Sequence, residues 1–142
     1  MKLLVAMDGS ECSARALQHA IRRSGECASR AEFKIHVLNV QTPLPSHIGR
    51  HLGGSDVREY HRDEAMKELQ RAREILAGAS VEHEIHIEIG KPADVIARYV
   101  TDLGIDEVVM GTRGQSNVAD LLMGSVSEDV LRQVSVPVVL VK

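Results

Sequence analysis

Three glycines in the last third of the sequence have the spacing of a loop that can hold a phosphate. Gly111 and Gly114 stand three residues apart, Gly124 follows ten residues later, and two serines, Ser125 and Ser127, lie just beyond it. Glycine permits positive φ and lets a ligand approach the backbone amides closely. A helix that begins at Ser125 would present unpaired N–H groups and the positive end of its dipole to an anion. The stretch therefore predicts a phosphate site.

A second interpretation of the same residues involves no ligand. Ser125 and Glu128 have the S-x-x-E spacing of a capping box, in which case the glycines only form turns. Two other phosphate-loop motifs, G-x-x-x-x-G-K-[ST] and G-x-G-x-x-G, do not occur in the sequence. Without the lysine of the first motif, the loop has amides and hydroxyls for a polyphosphate but no evident group to stabilise a transferring phosphoryl. We therefore expect no catalytic residue in it.

Composition and charge exclude several classes of partner. The 142 residues include 17 basic and 20 acidic side chains, a net charge of -3 without a basic block, so we expect neither a nucleic-acid nor a membrane partner. Only Phe33, Tyr60 and Tyr99 are aromatic, which leaves no platform for stacking bases. The sequence lacks a secretion signal at its start and any stretch approaching the ~20 apolar residues of a membrane span. We expect a cytoplasmic protein.

The hydrophobic pattern alternates between strand and helix periods along the chain. Apolar runs and strict alternation predict strands over 2–7, 33–40, 81–89, 106–111 and 136–141. Apolar residues three to four apart predict helices over 11–26, 56–77, from Pro92 onward, and over 125–134. Strands separated by helices run parallel with right-handed crossovers. The expected fold is α/β, a single doubly wound domain over residues 1–142 with a five-stranded parallel sheet and helices on both faces.

The predicted topology and the glycine spacing indicate the same place. In a doubly wound sheet, ligands bind beyond the carboxyl ends of the strands, where the winding reverses. If strands 2–7 and 106–111 are the central pair, Asp8 and Gly9 lie at that crevice beside the glycine loop. Either Asp8 or Ser10 is placed to cap the first helix.

Two predicted strands have patterns expected at a sheet edge. Segment 81–89 alternates strictly, which predicts an edge strand with one solvated face. One side carries Val81, His83, Ile85, Ile87 and Ile89, and the other carries glutamates and His86. Because His83 and His86 lie on opposite faces, they cannot share a metal. The C-terminal strand, segment 136–142, is apolar on both faces, and two copies that pair antiparallel there would form a homodimer.

The segment between the second strand and the second helix predicts a long loop, 41–56, rich in proline and glycine. Its H-I-G sequence at 47–49 is similar to a nucleotidyl-transfer motif, but that chemistry needs the motif directly after the first strand. His47, His51 and His61 could bind a metal if they lie close together, although loop histidines are more often solvated. The helix that follows has a heavily charged outer face, which we expect to be solvated.

Taken with their context, these residues resemble the universal stress protein family. Gly111, Gly114, Gly124 and Ser125 have the spacing of its G-2x-G-9x-G-[ST] ATP-binding signature. The similarity extends over the chain, through M-D-G-S, H-V-L-N-V, G-K-P, D-E-V-V-M-G-T-R-G, G-S-V-S-E-D-V-L and V-P-V-V-L-V. The resemblance implies a Rossmann-like, adenine nucleotide alpha hydrolase-like fold. It also implies a cytoplasmic ATP-binding regulatory protein of the stress response, usually a homodimer and without a firmly assigned enzymatic activity.

The resemblance also implies which residues bind ATP and Mg²⁺. It places Ala6 and Asp8 on the adenosine side, with Asp8 toward the ribose or a bound metal, and Val40 against the adenine. The other binding residues that it implies are Met110 and Gly111 as the ribose and phosphate floor, Gly114, Gly124, Ser125, Val126 and Ser127 as the triphosphate cradle, and Arg113 as the cation within the motif. Asp120 stands where family members often carry a basic residue, and an acidic side chain there lowers affinity unless it points to solvent or helps hold Mg²⁺.

Two other functions remain open at this point. One is an interaction protein of the same fold without nucleotide binding, against which the intact glycines argue. The other is an adenylate-handling enzyme, against which the absence of a correctly placed H-I-G-H motif argues. If the chain binds ATP, we expect slow hydrolysis at most, since no residue of the glycine motif is an evident general base.

Overall fold

The structure, a computed structural model, describes residues 1–26, 33–49, 53–114 and 123–142. Strands and helices alternate along these residues. The strands are β1 (Lys2–Ala6), β2 (Lys34–Gln41), β3 (Glu82–Ile89), β4 (Glu107–Gly111) and β5 (Val138–Val141). The helices are α1 (Glu11–Glu26), α2 (Ser46–Gly49), α3 (Gly54–Ala77), α4 (Pro92–Leu103) and α5 (Ser125–Gln133). Within the described ranges, no helix is long and apolar enough to cross a membrane.

The five strands form one parallel sheet in the order β3-β2-β1-β4-β5. The central strand β1 pairs with β2 on one side and with β4 on the other, so the winding reverses between β1 and β4. The predicted α/β fold, with a five-stranded parallel sheet and β1 and β4 side by side at its centre, is confirmed.

Alternate residues of the central strands enter two separate cores, one on each face of the sheet. Leu3 and Val5 of β1 pack with residues of α1 and α3, whereas Leu4 packs with residues of α4 and α5. All three side chains are fully buried. A near-continuous apolar strand is the expected sequence of a parallel strand covered on both faces.

The segment predicted as a loop over 41–56 contains more regular structure than its composition indicates. It includes the short helix α2, and α3 begins at Gly54 instead of residue 56. Gly53 is the N-cap of α3 with an extended backbone, φ -62° and ψ 155°, and Asp56 places an acidic side chain in the first turn. His61, one of the three histidines considered as metal ligands, lies in α3 and is buried. His51 lies outside the described residues.

Strand β3 is an edge strand, as predicted, but the expected division into an apolar buried face and a solvated polar face is wrong. Ile87 and Ile89 are 39% and 46% exposed, while His86 and Glu88 on the other face are half-buried. Tyr99 of α4 explains the polar face, because its hydroxyl donates a 2.8 Å hydrogen bond to Glu88 Oε1. Burial, and then this hydrogen bond, raises the pKa of Tyr99 to about 12.

Gly9→Ala tests the turn that joins β1 to α1, and Gly104→Ala, at the end of α4, is its control. Gly9 and Gly104 are the described glycines with positive φ, +80° and +61°. A Cβ on Gly9 would lie 3.1 Å from Glu68 Cα, whereas a Cβ on Gly104 would meet nothing within 4 Å. We expect Gly104→Ala to lower the free energy of unfolding by about 1 kcal/mol, and Gly9→Ala by about 2 to 3 kcal/mol. Urea denaturation of both variants measures the difference, and equal losses would show that the contact with α3 does not constrain the turn.

Candidate functional site

An open cavity of about 180 Å³ lies at the carboxyl ends of β1 and β4, where the winding of the sheet reverses. All eleven residues assigned to the site from the sequence line this cavity. They are Ala6, Asp8, Val40, Met110, Gly111, Arg113, Gly114, Gly124, Ser125, Val126 and Ser127. The chain segments that carry them are far apart in the sequence, and the parallel sheet brings them together.

The sequence analysis missed five further lining residues. They are Met7, Ser13, Leu38, Pro92 and Ile96. The residue spacing in the sequence could have indicated two of them. Leu38 is two residues before Val40 and therefore lies on the same face of β2. Ile96 is four residues after Pro92 and therefore lies on the same face of α4. Met7 and Ser13 had no comparable signal.

One half of the cavity wall is apolar. Leu38 and Val40 of β2, Ile96 of α4, Met110 of β4 and Val126 of α5 belong to the core on the α4 and α5 face of the sheet. This wall is suited to a flat apolar group, since it offers aliphatic contacts from three directions without a charged side chain.

The other half of the wall includes the first turn of α5. Gly124 is the N-cap of this helix, with φ -80° and ψ 155°, and its carbonyl accepts the N–H of Glu128 at 3.1 Å. Ser125 is therefore the first helical residue and not the cap, so the interpretation of Ser125 and Glu128 as a capping box is wrong. The first N–H groups of a helix have no acceptor within it, so the amides of Ser125 and Val126 are available to bind an anion at this end.

Two hydrogen bonds join the start of α5 to the end of β4. The Gly124 N–H donates to the Thr112 carbonyl at 2.7 Å, and the Ser127 hydroxyl donates to the Gly111 carbonyl at 3.1 Å. Ser127 is buried, so its hydroxyl proton is committed to the protein backbone. The expected role of Ser127 in the cradle is thus limited to its amide and to the oxygen of its hydroxyl.

Gly111 and Gly114 allow close packing, and none of the three loop glycines uses the positive φ that glycine permits. Gly111, Gly114 and Gly124 are not among the described glycines with positive φ. A Cβ on Gly111 would lie 2.7 Å from Cys12 Cβ of α1, so α1 could not approach β4 as closely. A Cβ on Gly114 would lie 2.7 Å from Asp8 Oδ2. At Gly124 a Cβ would make only ordinary contacts, the nearest at 3.5 Å.

Asp8 connects the two halves of the cavity. Its Oδ1 accepts the Ser10 N–H at 3.0 Å, which fixes the carboxylate at the turn after β1. Its Oδ2 lies next to Gly114, at the glycine loop. Ser10, not Asp8, caps α1, because the Ser10 hydroxyl accepts the Ser13 N–H at 3.1 Å. The Asp8 carboxylate is consequently placed between the apolar wall and the start of α5.

A buried polar network lies behind this turn. Asn39 of β2 donates to the Met7 carbonyl at 2.8 Å and to Glu68 Oε2 at 2.6 Å, and Gln41 donates to the same carboxylate oxygen at 2.9 Å. Glu68 was expected on the solvated face of its helix, and this expectation is wrong because two amides at the end of β2 turn its carboxylate inward. The signal was the pair of polar residues, Asn39 and Gln41, in an otherwise apolar strand.

Arg113 is exposed at the rim of the cavity. Asp120, whose acidic side chain departs from the family pattern, lies outside the described residues.

The parallel sheet with an open cavity at its switch point defines the class of doubly wound α/β domains, and comparison with known proteins gives the family. The family model of the Universal stress protein family matches residues 1–142, and the chain belongs to this family. The chain is 32% identical over 148 residues to the universal stress protein YxiE of Bacillus subtilis (strain 168), with 99% of this chain and 98% of YxiE covered.

Solved structures share the fold. The universal stress protein UspA from Lactobacillus plantarum superposes with a TM-score of 0.82 at 19% identity, over 100% of this chain and 97% of UspA. A universal stress protein crystallised in complex with cAMP superposes with a TM-score of 0.70 at 25% identity, over 100% of this chain and 97% of the other.

Ser127 and Ser125 provide a matched test of the junction between β4 and α5. Ser127→Ala removes the donor to the buried Gly111 carbonyl, and we expect it to lower the free energy of unfolding by about 1 to 3 kcal/mol. Ser125→Ala changes an exposed serine on the same turn and should cost less than about 0.5 kcal/mol. Chemical denaturation compares the two, and an equal cost for both would contradict the structural role of the Ser127 hydroxyl.

Proposed function

We propose that this chain is an ATP-binding regulatory module of the stress response, with the nucleotide bound in the cavity between β1, β4 and α5. The observation that carries the proposal is the division of the cavity wall. Its apolar half, which includes Val40, suits an adenine ring, and the first turn of α5 at Ser125 suits phosphates. The universal stress protein that binds cAMP supports an adenine nucleotide as the ligand class.

The apolar half favours adenine through shape and burial. Val40 and Met110 flank the end of the sheet, and Ile96 of α4 closes the same side. None of the three carries a charge, so recognition of the base rests on aliphatic contact and on backbone groups. This agrees with the small number of aromatic residues in the sequence.

The polar half favours a chain of phosphates. The amides of Ser125 and Val126 stand at the positive end of the dipole of a nine-residue helix, α5. Arg113 adds a positive side chain at the rim. Gly114 lets the backbone of the loop lie directly against the Asp8 carboxylate, so a phosphate held by the loop would have that carboxylate beside it.

The donor set at this end also fits Mg²⁺. Carboxylate oxygen is a hard ligand that Mg²⁺ prefers, and the ion usually completes its shell with phosphate oxygens and water. Asp8 would supply the carboxylate, and the ion would neutralise phosphate charge next to it. The Asp8 side chain itself stays anchored through the Ser10 N–H, so the protein's contribution is a fixed position for one negative oxygen.

We assign the site a regulatory and not a catalytic role, in a cytoplasmic protein. The cavity has Asp8 as its one carboxylate among the described lining residues, and its place beside the loop suits a ribose hydroxyl or a metal ion better than activation of water. We therefore propose slow turnover of ATP at most, with nucleotide occupancy setting the conformation or the choice of a protein partner.

Gly124 provides the sharpest test of nucleotide binding. Its backbone, φ -80° and ψ 155°, and the 3.5 Å clearance of its Cβ position admit a larger side chain in the free protein. We expect Gly124→Val to fold normally but to lower the affinity for ATP-Mg²⁺ by at least about 100-fold, because the side chain would stand between phosphate and the first amides of α5. Ser127→Ala should cost less than about tenfold. Isothermal titration calorimetry measures both.

Gly53→Val is the control for this experiment. Gly53 is also a helix N-cap glycine with an extended backbone, and the nearest atom to its Cβ position is likewise at 3.5 Å. The Gly53→Val variant should bind ATP-Mg²⁺ as the unmodified chain does. If Gly124→Val keeps the full affinity of the unmodified chain, the phosphate assignment is wrong. If the unmodified chain binds no nucleotide at all, the interaction protein without nucleotide is the better account.

We also propose a homodimer joined through the C-terminal strand, segment 136–142. β5 is an edge strand of the sheet, and its four residues are only half-buried. The Val108 N–H donates to the Pro137 carbonyl at 3.0 Å, and the Thr112 N–H donates to the Val141 carbonyl at 2.9 Å. Because successive residues of a strand direct their backbone groups to opposite sides, Leu140 directs its N–H away from β4. Two copies of β5 that pair antiparallel would use these outward groups.

Leu140→Pro tests the dimer because it removes an outward donor and leaves the hydrogen bonds to β4 in place. We expect the unmodified chain to be a dimer at micromolar concentration and Leu140→Pro to be a monomer by light scattering. Leu140→Ala controls for the lost side chain, which packs against the core, and should remain dimeric. A monomeric unmodified chain, or a dimer that survives Leu140→Pro, would contradict the proposal.

A further inference from the structure

A second cluster of polar side chains lies on the face of the sheet that α4 covers, away from the cavity. His36 of β2 is paired in register with Glu84 of β3, and His86 lies two residues beyond Glu84 on the same face. His36 is buried, His86 is half-buried and Glu84 is exposed, so the cluster runs from the core to the surface. Tyr99 of α4 covers the His86 ring, with the ring centroids 5.2 Å apart.

The three side chains bring one potential ligand atom each close to the other two. His36 Nδ1 lies 3.1 Å from His86 Nε2, and Glu84 Oε2 lies 3.6 Å from the first nitrogen and 3.7 Å from the second. Ligand atoms bound to a tetrahedral Zn²⁺ at about 2.0 to 2.1 Å are separated from one another by about 3.3 Å. The three separations bracket this value, so an ion at the centre would need shifts of only a few tenths of an ångström.

The His36 ring forms the buried end of the cluster. His36 Nε2 is buried and has no hydrogen-bond partner among the described residues, so no neighbour there fixes the tautomer of the ring. A metal ion would replace the proton that the two facing nitrogens share in the free protein.

Charge near the cluster is compatible with a divalent ion. Lys34 Nζ contacts Glu84 Oε1 at 2.8 Å, while the other oxygen of the carboxylate faces the histidines. Lys34 also contacts Glu82 at 3.2 Å, so the lysine retains an acidic partner if the metal draws Glu84 inward. The exposed side of Glu84 gives the ion a path from solvent.

We propose that His36, Glu84 and His86 form a binding site for a divalent transition-metal ion, Zn²⁺ in the first instance, with a fourth position open to water or to another ligand. Two imidazoles and one carboxylate are a common donor set for zinc. The site is separate from the nucleotide cavity, since none of its three residues lines that cavity.

Titration of the metal-free chain with Zn²⁺ in a calorimeter tests the proposal. We expect one ion per chain, and we expect His86→Gln and Glu84→Gln each to weaken binding by at least about tenfold, since loss of even an outer-shell partner has this effect. Both side chains are partly exposed, so neither variant should prevent folding. Zn²⁺ should also raise the melting temperature of the unmodified chain and not that of His86→Gln.

Neighbouring residues on the same strand supply matched controls. His83→Gln changes a histidine on the opposite face of β3, and Glu82→Gln changes the other acidic partner of Lys34. Both should bind Zn²⁺ as the unmodified chain does, and so should a variant that lacks His47 and His51. An equal loss in His83→Gln, or loss only on removal of His47 and His51, would overturn the assignment, as would full affinity in His86→Gln.

Tyr99 gives a readout of where the ion binds. The chain has two tyrosines and no tryptophan, so Tyr99 is the only strong fluorophore in a Tyr60→Phe variant. Co²⁺ bound beside His86 should quench its emission in a saturable way and show the intense visible absorption of a tetrahedral Co²⁺ site. Excess Zn²⁺ should reverse both signals, and Co²⁺ binding without quenching would place the ion elsewhere and overturn the proposal.

Discussion

The candidate site depends on how the start of α5 is attached to the end of β4. Two carbonyl groups at the end of the strand, of Gly111 and Thr112, accept hydrogen bonds from Ser127 and Gly124 at 3.1 and 2.7 Å. The positive end of the helix is thereby fixed at the switch point of the sheet. Gly111 contributes again on its other side, because its missing Cβ lets α1 pack directly against β4 at Cys12.

The opposite side of the cavity is held by a second set of interactions that does not involve the glycine loop. Asn39 is fully buried and joins the Met7 carbonyl at the end of β1 to Glu68 of α3. Buried polar groups are costly unless every member has a partner, so a satisfied network of this kind fixes a unique arrangement. Gly9 packs directly against Glu68, since a Cβ on Gly9 would lie 3.1 Å from Glu68 Cα, and this contact constrains the turn that carries Asp8. The apolar wall and the Asp8 carboxylate therefore keep a fixed separation.

Much of this arrangement could be predicted from the sequence, because it follows from local patterns. The apolar strands and the spacing of Gly111, Gly114 and Gly124 located the switch point, whereas most of its lining residues came from the resemblance to the universal stress protein family. The inward turn of Glu68 was not predictable from helical periodicity, since its partners lie on β2 and act only after the strand and α3 have packed. The cluster of His36 and His86 was equally hidden, because it arises from the register between β2 and β3. The helix boundary at Ser125 was predicted correctly, and the alternative capping box is excluded because the extended Gly124, not Ser125, is the N-cap.

The central claim is that the cavity binds an adenine nucleotide, and the most direct measurement is the identity of any nucleotide that the protein carries when it is isolated. The chain would be purified in the presence of Mg²⁺, denatured, and its extract separated by chromatography. The account predicts ATP or its breakdown products, in an amount approaching one per chain. An extract that contains guanine nucleotide instead, or one free of nucleotide from protein that also fails to bind added ATP-Mg²⁺, would contradict it.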